Sequence, residues 1–406
     1  MSITSTGENG REKSLWKSLR NVSEGLVDMR TLPVAIGLIL LIVFFSLESD
    51  VFLTSRNLTN LLSQSVVTGI MALGLIFVLL VGEIDLSVAA ISGVTSVLLA
   101  KLIMDFGFPP SVAIAIAFLA GAGIGGLSAR WITWMRVPSF VVTLGVGLVL
   151  NGVQLALLPE TGRYNLLGTG IENVAGTSLK GPPAWIALAL LVLVMLTIRF
   201  TAYRQRVAAG LAAPFFSAVV LPLLPLLFVG IVGVALLDLH NGVPVPVVIF
   251  TALLVVASYV TQETRIGLYL YAVGDNIEAA RRSGIRPQAV KLFAFMVAGA
   301  LAALAGLLAS SRILGVSVSS GGGIGGGSLL LESIAAAVIG GVSLFGGKGR
   351  VSAAVFGALI IGTVSNGLNL MGVGNEIRLV VTGFLLVLAV SVDRVIERFA
   401  GPLSRD

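Results

Sequence analysis

Two carboxylates and a hydroxyl, Glu83, Asp85 and Ser87, stand close together in a chain whose neighbouring stretches are almost entirely apolar. A carboxylate held in hydrocarbon is costly, so such a group faces a cavity or a partner and is read first as functional. Glu332 lies just inside another apolar run, and the amides Asn151, Gln154, Asn366 and Asn369 lie inside or at the end of further ones. Carboxylates and amides hydrogen-bond a polyol such as a sugar well. The same groups also tie helices to one another. These eight positions are the candidate lining of a path for a polar solute.

Other chemistries are excluded by residue type. Cysteine is absent, which removes disulfides and thiolate metal sites, and His240 is the single histidine, which removes a histidine metal site or proton relay. Residues 321–327 read GGGIGGG and formally contain the GxGxxG spacing. No strand precedes them and no dinucleotide-binding unit surrounds them, so that match is empty. Gly346-Gly347-Lys348-Gly349 resembles a phosphate loop, but Val342 stands where its first glycine belongs and Gly349 where its hydroxyl belongs. The chain has no ATP-hydrolysing site of its own. If transport uses ATP, another subunit binds the nucleotide.

The elements that must position these residues are membrane helices. Of 406 residues 56% are hydrophobic and 11% charged, and mean hydropathy is +1.02. Apolar runs repeatedly reach the roughly 20 residues that cross a bilayer as helix. The expected class is an all-α polytopic membrane protein of about twelve spans. They fall at 32–47, 66–82, 86–104, 111–129, 137–158, 184–198, 215–237, 243–260, 292–311, 329–345, 351–370 and 379–392. Residues 52–65 are expected as a separate helix lying at the interface, because Leu58, Leu61 and Leu62 share a face. Pro222 and Pro225, and Pro244 and Pro246, should bend or interrupt their spans. Gly121 and Gly125, and the alanines and glycine at 298, 302, 305, 306 and 309, give two helices small faces for close packing, either within one subunit or at a dimer seam.

Basic residues then fix orientation. With the N-terminus inside, 20 of the 26 lysines and arginines fall on interior segments, leaving Arg56, Lys101, Arg163, Lys180, Arg312 and Arg378 outside. The net charge of +6 therefore records topology and makes no case for nucleic acid. Residues 1–31 and 396–406 are expected as cytoplasmic tails flanking one membrane domain at 32–395. The turn at Glu83 to Asp85 carries no basic residue, and its depth stays open.

The longest polar segment, 261–291, is interior by this count. Within it Asp275, Asn276, Glu278, Ala279, Ala280, Arg281, Arg282 and Gly284 spell a short helix, with Asp275 as N-cap, Glu278 three residues on, and Gly284 at the left-handed position that closes it. Pro287 can open the next helix. A helix this short depends on a surface to pack against, and that surface can belong to another protein.

Five segments in order resemble the membrane permeases of ribose- and xylose-type sugar ABC importers: Ile84 to Val88, Val137 to Gly145, Tyr271 to Ile285, Glu332 to Arg350, and Asn366 to Leu370. The resemblance spans about residues 50 to 395. It implies a permease in the bacterial cytoplasmic membrane that pairs with a second copy and receives sugar from a periplasmic binding protein. It also implies a separate ATPase subunit, which holds ATP and Mg, and no cofactor in this chain. In such importers a cytoplasmic helix with a Glu-Ala-Ala-like string docks on the ATPase, and Glu278, Ala279, Ala280 and Gly284 match it. Asp85 and Ser87 match a stretch near the translocation path. Residues 184–237 look like an added pair of spans, as in the longer xylose-type branch, and Glu332 stands where shorter permeases tend to carry aspartate. An ion-coupled sugar symporter, or an ABC permease for an amino acid, is the competing class.

Overall fold

The computed structural model describes residues 31–211, 214–322 and 328–399. The chain opens with α1 (Thr31–Glu48), α2 (Ser55–Leu80), α3 (Val88–Met104), α4 (Pro110–Met135) and α5 (Ser139–Leu157). Next come β1 (Arg163–Asn165), α6 (Glu172–Gly176), β2 (Ser178–Leu179), α7 (Pro182–Ala208) and, after a distorted stretch from Phe216 to Leu223, α8 (Leu224–Asp238). β3 (Val243–Pro244) precedes α9 (Val245–Glu263), α10 (Arg265–Asp275), α11 (Ile277–Arg282) and α12 (Pro287–Ile313). The last elements are β4 (Gly315–Ser317), α13 (Ser328–Ile339), α14 (Ala353–Leu370) and α15 (Asn375–Phe399).

Each expected span overlaps one of these helices, with ends that differ by several residues, and the expected count of about twelve is not reached by length and apolarity. Among the described residues, eight helices are long and apolar enough to cross a membrane, and three more apolar ones, at Pro33–Glu48, Val88–Met104 and Ser328–Ile339, are shorter. The separate interfacial helix expected at 52–65 is not formed. Residues 55–65 are instead the first half of α2, which runs unbroken from a Thr54 cap because nothing between Ser65 and Val66 interrupts it. Asn57, Leu61 and Ser65, four residues apart, form a buried stripe.

The prolines divide into two kinds. Pro222 alone falls where wide and tight turns replace regular helix before α8, the interruption expected from a missing N–H. Pro225 sits in the first turn of α8, and Pro244 and Pro246 sit at the cap and first turn of α9, where the missing N–H has no helical partner to lose.

The core is built around α12, which packs against α4, α2 and α3. Close approach explains the small residues. Gly299 on α12 meets Gly121 on α4 backbone to backbone, and a Cβ on Gly121 would sit 2.8 Å from the Ala303 methyl. The small faces thus act within one chain, where van der Waals packing rather than a hydrophobic force holds helices together.

The two ends of the bundle differ. At one, β1 pairs with β4 and β2 with β3 in two short antiparallel ribbons, and Lys180 Nζ donates to the His240 carbonyl at 3.2 Å. At the other, the end of α2, the start of α12 and the 274–275 and 346–349 turns converge. These are called the ribbon end and the basic end.

Candidate functional site

Between Leu80 and Val88 the backbone leaves the helical path, and its polar groups need partners from neighbouring elements. α5 supplies them. The Ile84 N–H donates to Ser139 Oγ at 3.1 Å and the Leu86 N–H to Thr143 Oγ1 at 3.0 Å. Thr143 in turn donates to the Ser139 carbonyl at 2.9 Å. Both hydroxyls lie within the Val137 to Gly145 segment, and sequence reasoning assigns neither a role. Their spacing of four on one helix face beside an Ile-Asp-Leu-Ser string was the available signal.

Asp85 is fully buried at the start of α3. Its Oδ1 accepts from the Ser87 N–H at 2.8 Å and from the Ser87 hydroxyl at 2.6 Å, and the positive end of the α3 dipole adds a favourable field. Oδ2 is shielded and has no protein partner. Two further shielded acceptors, Asn151 Oδ1 and Gln154 Oε1, lie on α5 in the same condition. α5 meets α3 along a stripe through Thr143, Gly147 and Gln154. Gln154 Nε2 donates to the carbonyls of Ser317 at 3.1 Å, Val318 at 3.3 Å and Ser320 at 3.1 Å, pinning the chain after β4 onto α5. The seam between α3 and α5 therefore carries Asp85, Ser87, Asn151 and Gln154.

The remaining candidates lie elsewhere. Glu83, at the basic end, forms an ion pair with Lys291 on α12. Glu332 sits on α13 within the field of Arg378 on α15. Asn366 makes a reciprocal amide pair with Asn57, 2.8 Å one way and 3.0 Å the other, joining α14 to α2. The two amides satisfy each other, which is the helix-tying role. Asn369 is exposed at the end of α14.

The short polar helix forms as α11, with one correction at its start. Asp275 is the last residue of α10, and Asn276 is the cap, its Oδ1 accepting from the N–H groups of Glu278 at 3.1 Å and Ala279 at 3.0 Å. Asn is as good a cap as Asp, and α10 ends one residue before it. Glu278 does not close a capping box; it bonds Arg281 at 2.8 Å along the exposed face. Ala280 is the buried residue, Gly284 takes φ +84° after the last turn, and Pro287 starts α12. Ala279, Arg281, Arg282 and Glu278 are left outward.

A many-helix membrane bundle with a buried broken segment and an outward helix at one end is the build of a permease subunit. The family described as "Branched-chain amino acid transport system / permease component" matches residues 57–390, and the chain belongs to it. It is similar to the xylose transport system permease protein of Escherichia coli K12, 33% identical over 307 residues, covering 75% of this chain and 76% of that one. The xylose transport system permease protein of Haemophilus influenzae Rd is 32% identical over 322 residues, 77% of this chain and 82% of that one. The ribose import permease protein of Escherichia coli K12 is 32% identical over 305 residues, 75% of each. No solved structure matches. The protein is a multi-pass membrane transport subunit rather than an enzyme.

Proposed function

We propose that this chain is the membrane-spanning subunit of an ATP-driven importer of a monosaccharide, xylose before ribose. The observation that carries this reading is similarity to xylose transport permeases over three quarters or more of both chains. The family description names amino acids, yet these relatives name sugars, and the α3–α5 seam favours the latter. Asp85 Oδ2, Asn151 Oδ1 and Gln154 Oε1 are acceptors awaiting donors, and a sugar presents a donor hydroxyl on nearly every carbon, whereas a zwitterion asks equally for cationic groups.

On this reading the basic end faces the cytoplasm, with residues 1–31 and 396–406 on that side and 32–395 as one membrane domain. The segment 261–291 is the coupling region, and its Asp275 to Gly284 part meets the ATPase subunit, which holds ATP and Mg. The ribbon end receives a periplasmic sugar-binding protein, a second copy of the chain completes the path, and lipid covers the outer helices. Asp85, Ser87, Asn151 and Gln154 line the path; Glu83 stands at its cytoplasmic mouth. Sugar binds the two states of the bundle differently, and ATP-driven closure shifts the balance between them.

The test is uptake of radiolabelled xylose and ribose into cells holding this chain and its partners. Depleting ATP with the membrane potential preserved should abolish uptake, and collapsing the proton gradient with ATP preserved should leave it. The reverse pattern would make the protein a symporter.

A further inference from the structure

We propose that α11 is tied to the broken segment at residues 81–87 from both of its ends, and that Glu83, Lys291 and a junction of glycines are the positioning residues that carry its movement to Asp85. This rests on the reading of α11 as the ATPase-docking helix.

The upstream tie is made of backbone. Gly274, one residue before the end of α10, lies against the Leu80 carbonyl and the Gly347 amide so closely that no Cβ fits there. The Gly347 N–H donates to that Leu80 carbonyl at 3.0 Å. A Cβ on Gly347 would lie 2.8 Å from Asp275 Cα, and one on Gly346 would lie 2.8 Å from Gly82 Cα. The Tyr271 hydroxyl fastens the same turn by donating to the Gly349 carbonyl at 2.9 Å. Three backbones, at 80–82, 274–275 and 346–347, thus meet with no side chain between them. Asn276, which caps α11, is the next residue after Asp275. A side chain can absorb a displacement by changing rotamer, whereas close-packed backbone passes it on.

The downstream tie is ionic. α11 is followed by Gly284 and by Pro287 at the start of α12, whose Lys291 pairs with Glu83. Both side chains are nearly shielded, 16% and 14% exposed, so water screens the pair little. Glu83 is two residues from Asp85, and the intervening Ile84 is held by Ser139. A push on α11 therefore reaches the residues next to Asp85 through α10 on one side and through α12 on the other. Separating the pair would leave two mostly shielded charges uncompensated, which holds the broken segment at Glu83 against the first turns of α12.

The experiment uses the assembled importer, permease with its ATPase and binding protein, in proteoliposomes with radiolabelled D-xylose. Glu83→Lys and Lys291→Glu should each retain the ATPase on co-purification. Sugar carried per ATP hydrolysed should fall by about tenfold, the size of a typical coupling between sites. The double exchange, Glu83→Lys with Lys291→Glu, should restore most of that ratio. Glu83→Gln, which keeps shape and removes charge, should give an intermediate loss and serves if a reversed charge prevents insertion. A full ratio in the single variants, or a double exchange no better than either single one with the ATPase still bound, would overturn the proposal. Failure of the functional reading looks different: the unchanged assembly would then import nothing on ATP, and the coupling role of both ties would fall with it.

Discussion

α12 and α7 are both 27 residues long and almost equally apolar, yet they live in different surroundings. In α12, 67% of the most apolar stretch is buried inside the chain; in α7 the figure is 6%. Apolarity therefore says that a helix can enter a bilayer and nothing about where it sits within a bundle. The distinction lies in side-chain size. α12 presents Ala298, Gly299, Ala302, Ala305 and Gly306 to its neighbours, all but fully buried, while Ile186, Leu190, Leu193 and Val194 of α7 are exposed. Lipid is as apolar as leucine, so a lipid-facing surface needs no fit, whereas a helix-facing one needs room.

The sharpest way to break this comparison is to swap bulk between the two helices. Gly299→Leu would drive a side chain into the Gly121 backbone, with the Gly125 amide close by. It should destabilise the folded permease by about 3 kcal/mol, at the upper end of what overpacking costs. Leu193→Ala on α7 should change stability by no more than about 0.5 kcal/mol. Thermal unfolding of the purified protein in one detergent measures both. Equal effects would mean that α7 is covered by another chain and that the lipid-facing reading of this flank is wrong.

A smaller effect is expected where polar groups, not bulk, join helices. Replacing Asn57 by Ala leaves the buried amide of Asn366 without its partner, and should lower stability by roughly 1–2 kcal/mol. Asn366→Ala should cost a similar amount, and the double variant less than the two together, because the second substitution removes a group already unpaired. Sugar uptake per folded molecule should be unchanged. Additive losses would show that the two amides act separately, and a selective loss of uptake would return Asn366 to the solute path.

Much of this architecture is legible in the chain. The helices follow from long apolar runs, the short polar helix from its Gly284 and Pro287 boundary although its cap is Asn276 rather than the expected Asp275, and a close-packing face on α4 from Gly121 and Gly125, though not its partner α12. What escapes is information that resides in pairs far apart in sequence. Asn366 reads as a polar group in a span whether it faces solute or Asn57, and 309 residues separate the two. Glu83 reads as an intramembrane acid until Lys291, 208 residues later, is placed beside it. Thr143 looks like an ordinary helix residue because its work is to satisfy the Leu86 amide, a need that exists only once α2 has stopped at Leu80. Residues 52–65 were misleading for the opposite reason: a leucine face looks the same whether it lies on a membrane or against another helix, and Leu61 turns out to be buried.

The mildest prediction concerns charges at the ribbon end, where water reaches them. Asp105, in the turn after α3, accepts from the Tyr164 hydroxyl at 2.7 Å and from Lys101 Nζ at 2.9 Å. Those bonds, the tyrosine's first, hold its carboxyl below its ordinary pKa of 3.8. A carboxylate with a depressed folded-state pKa contributes stability that is fully present above the unfolded-state value and disappears as pH falls through the folded-state one. Asp105→Asn should therefore lower the melting temperature slightly at neutral pH, by less than either buried substitution because exposed ion pairs are weak. The gap from the unchanged protein should close as the pH drops below the ordinary carboxylate value and the native side chain also takes up a proton. A gap that persists in acid would assign the role of Asp105 to shape rather than charge, and would extend to the ribbon end the packing rule that governs α12.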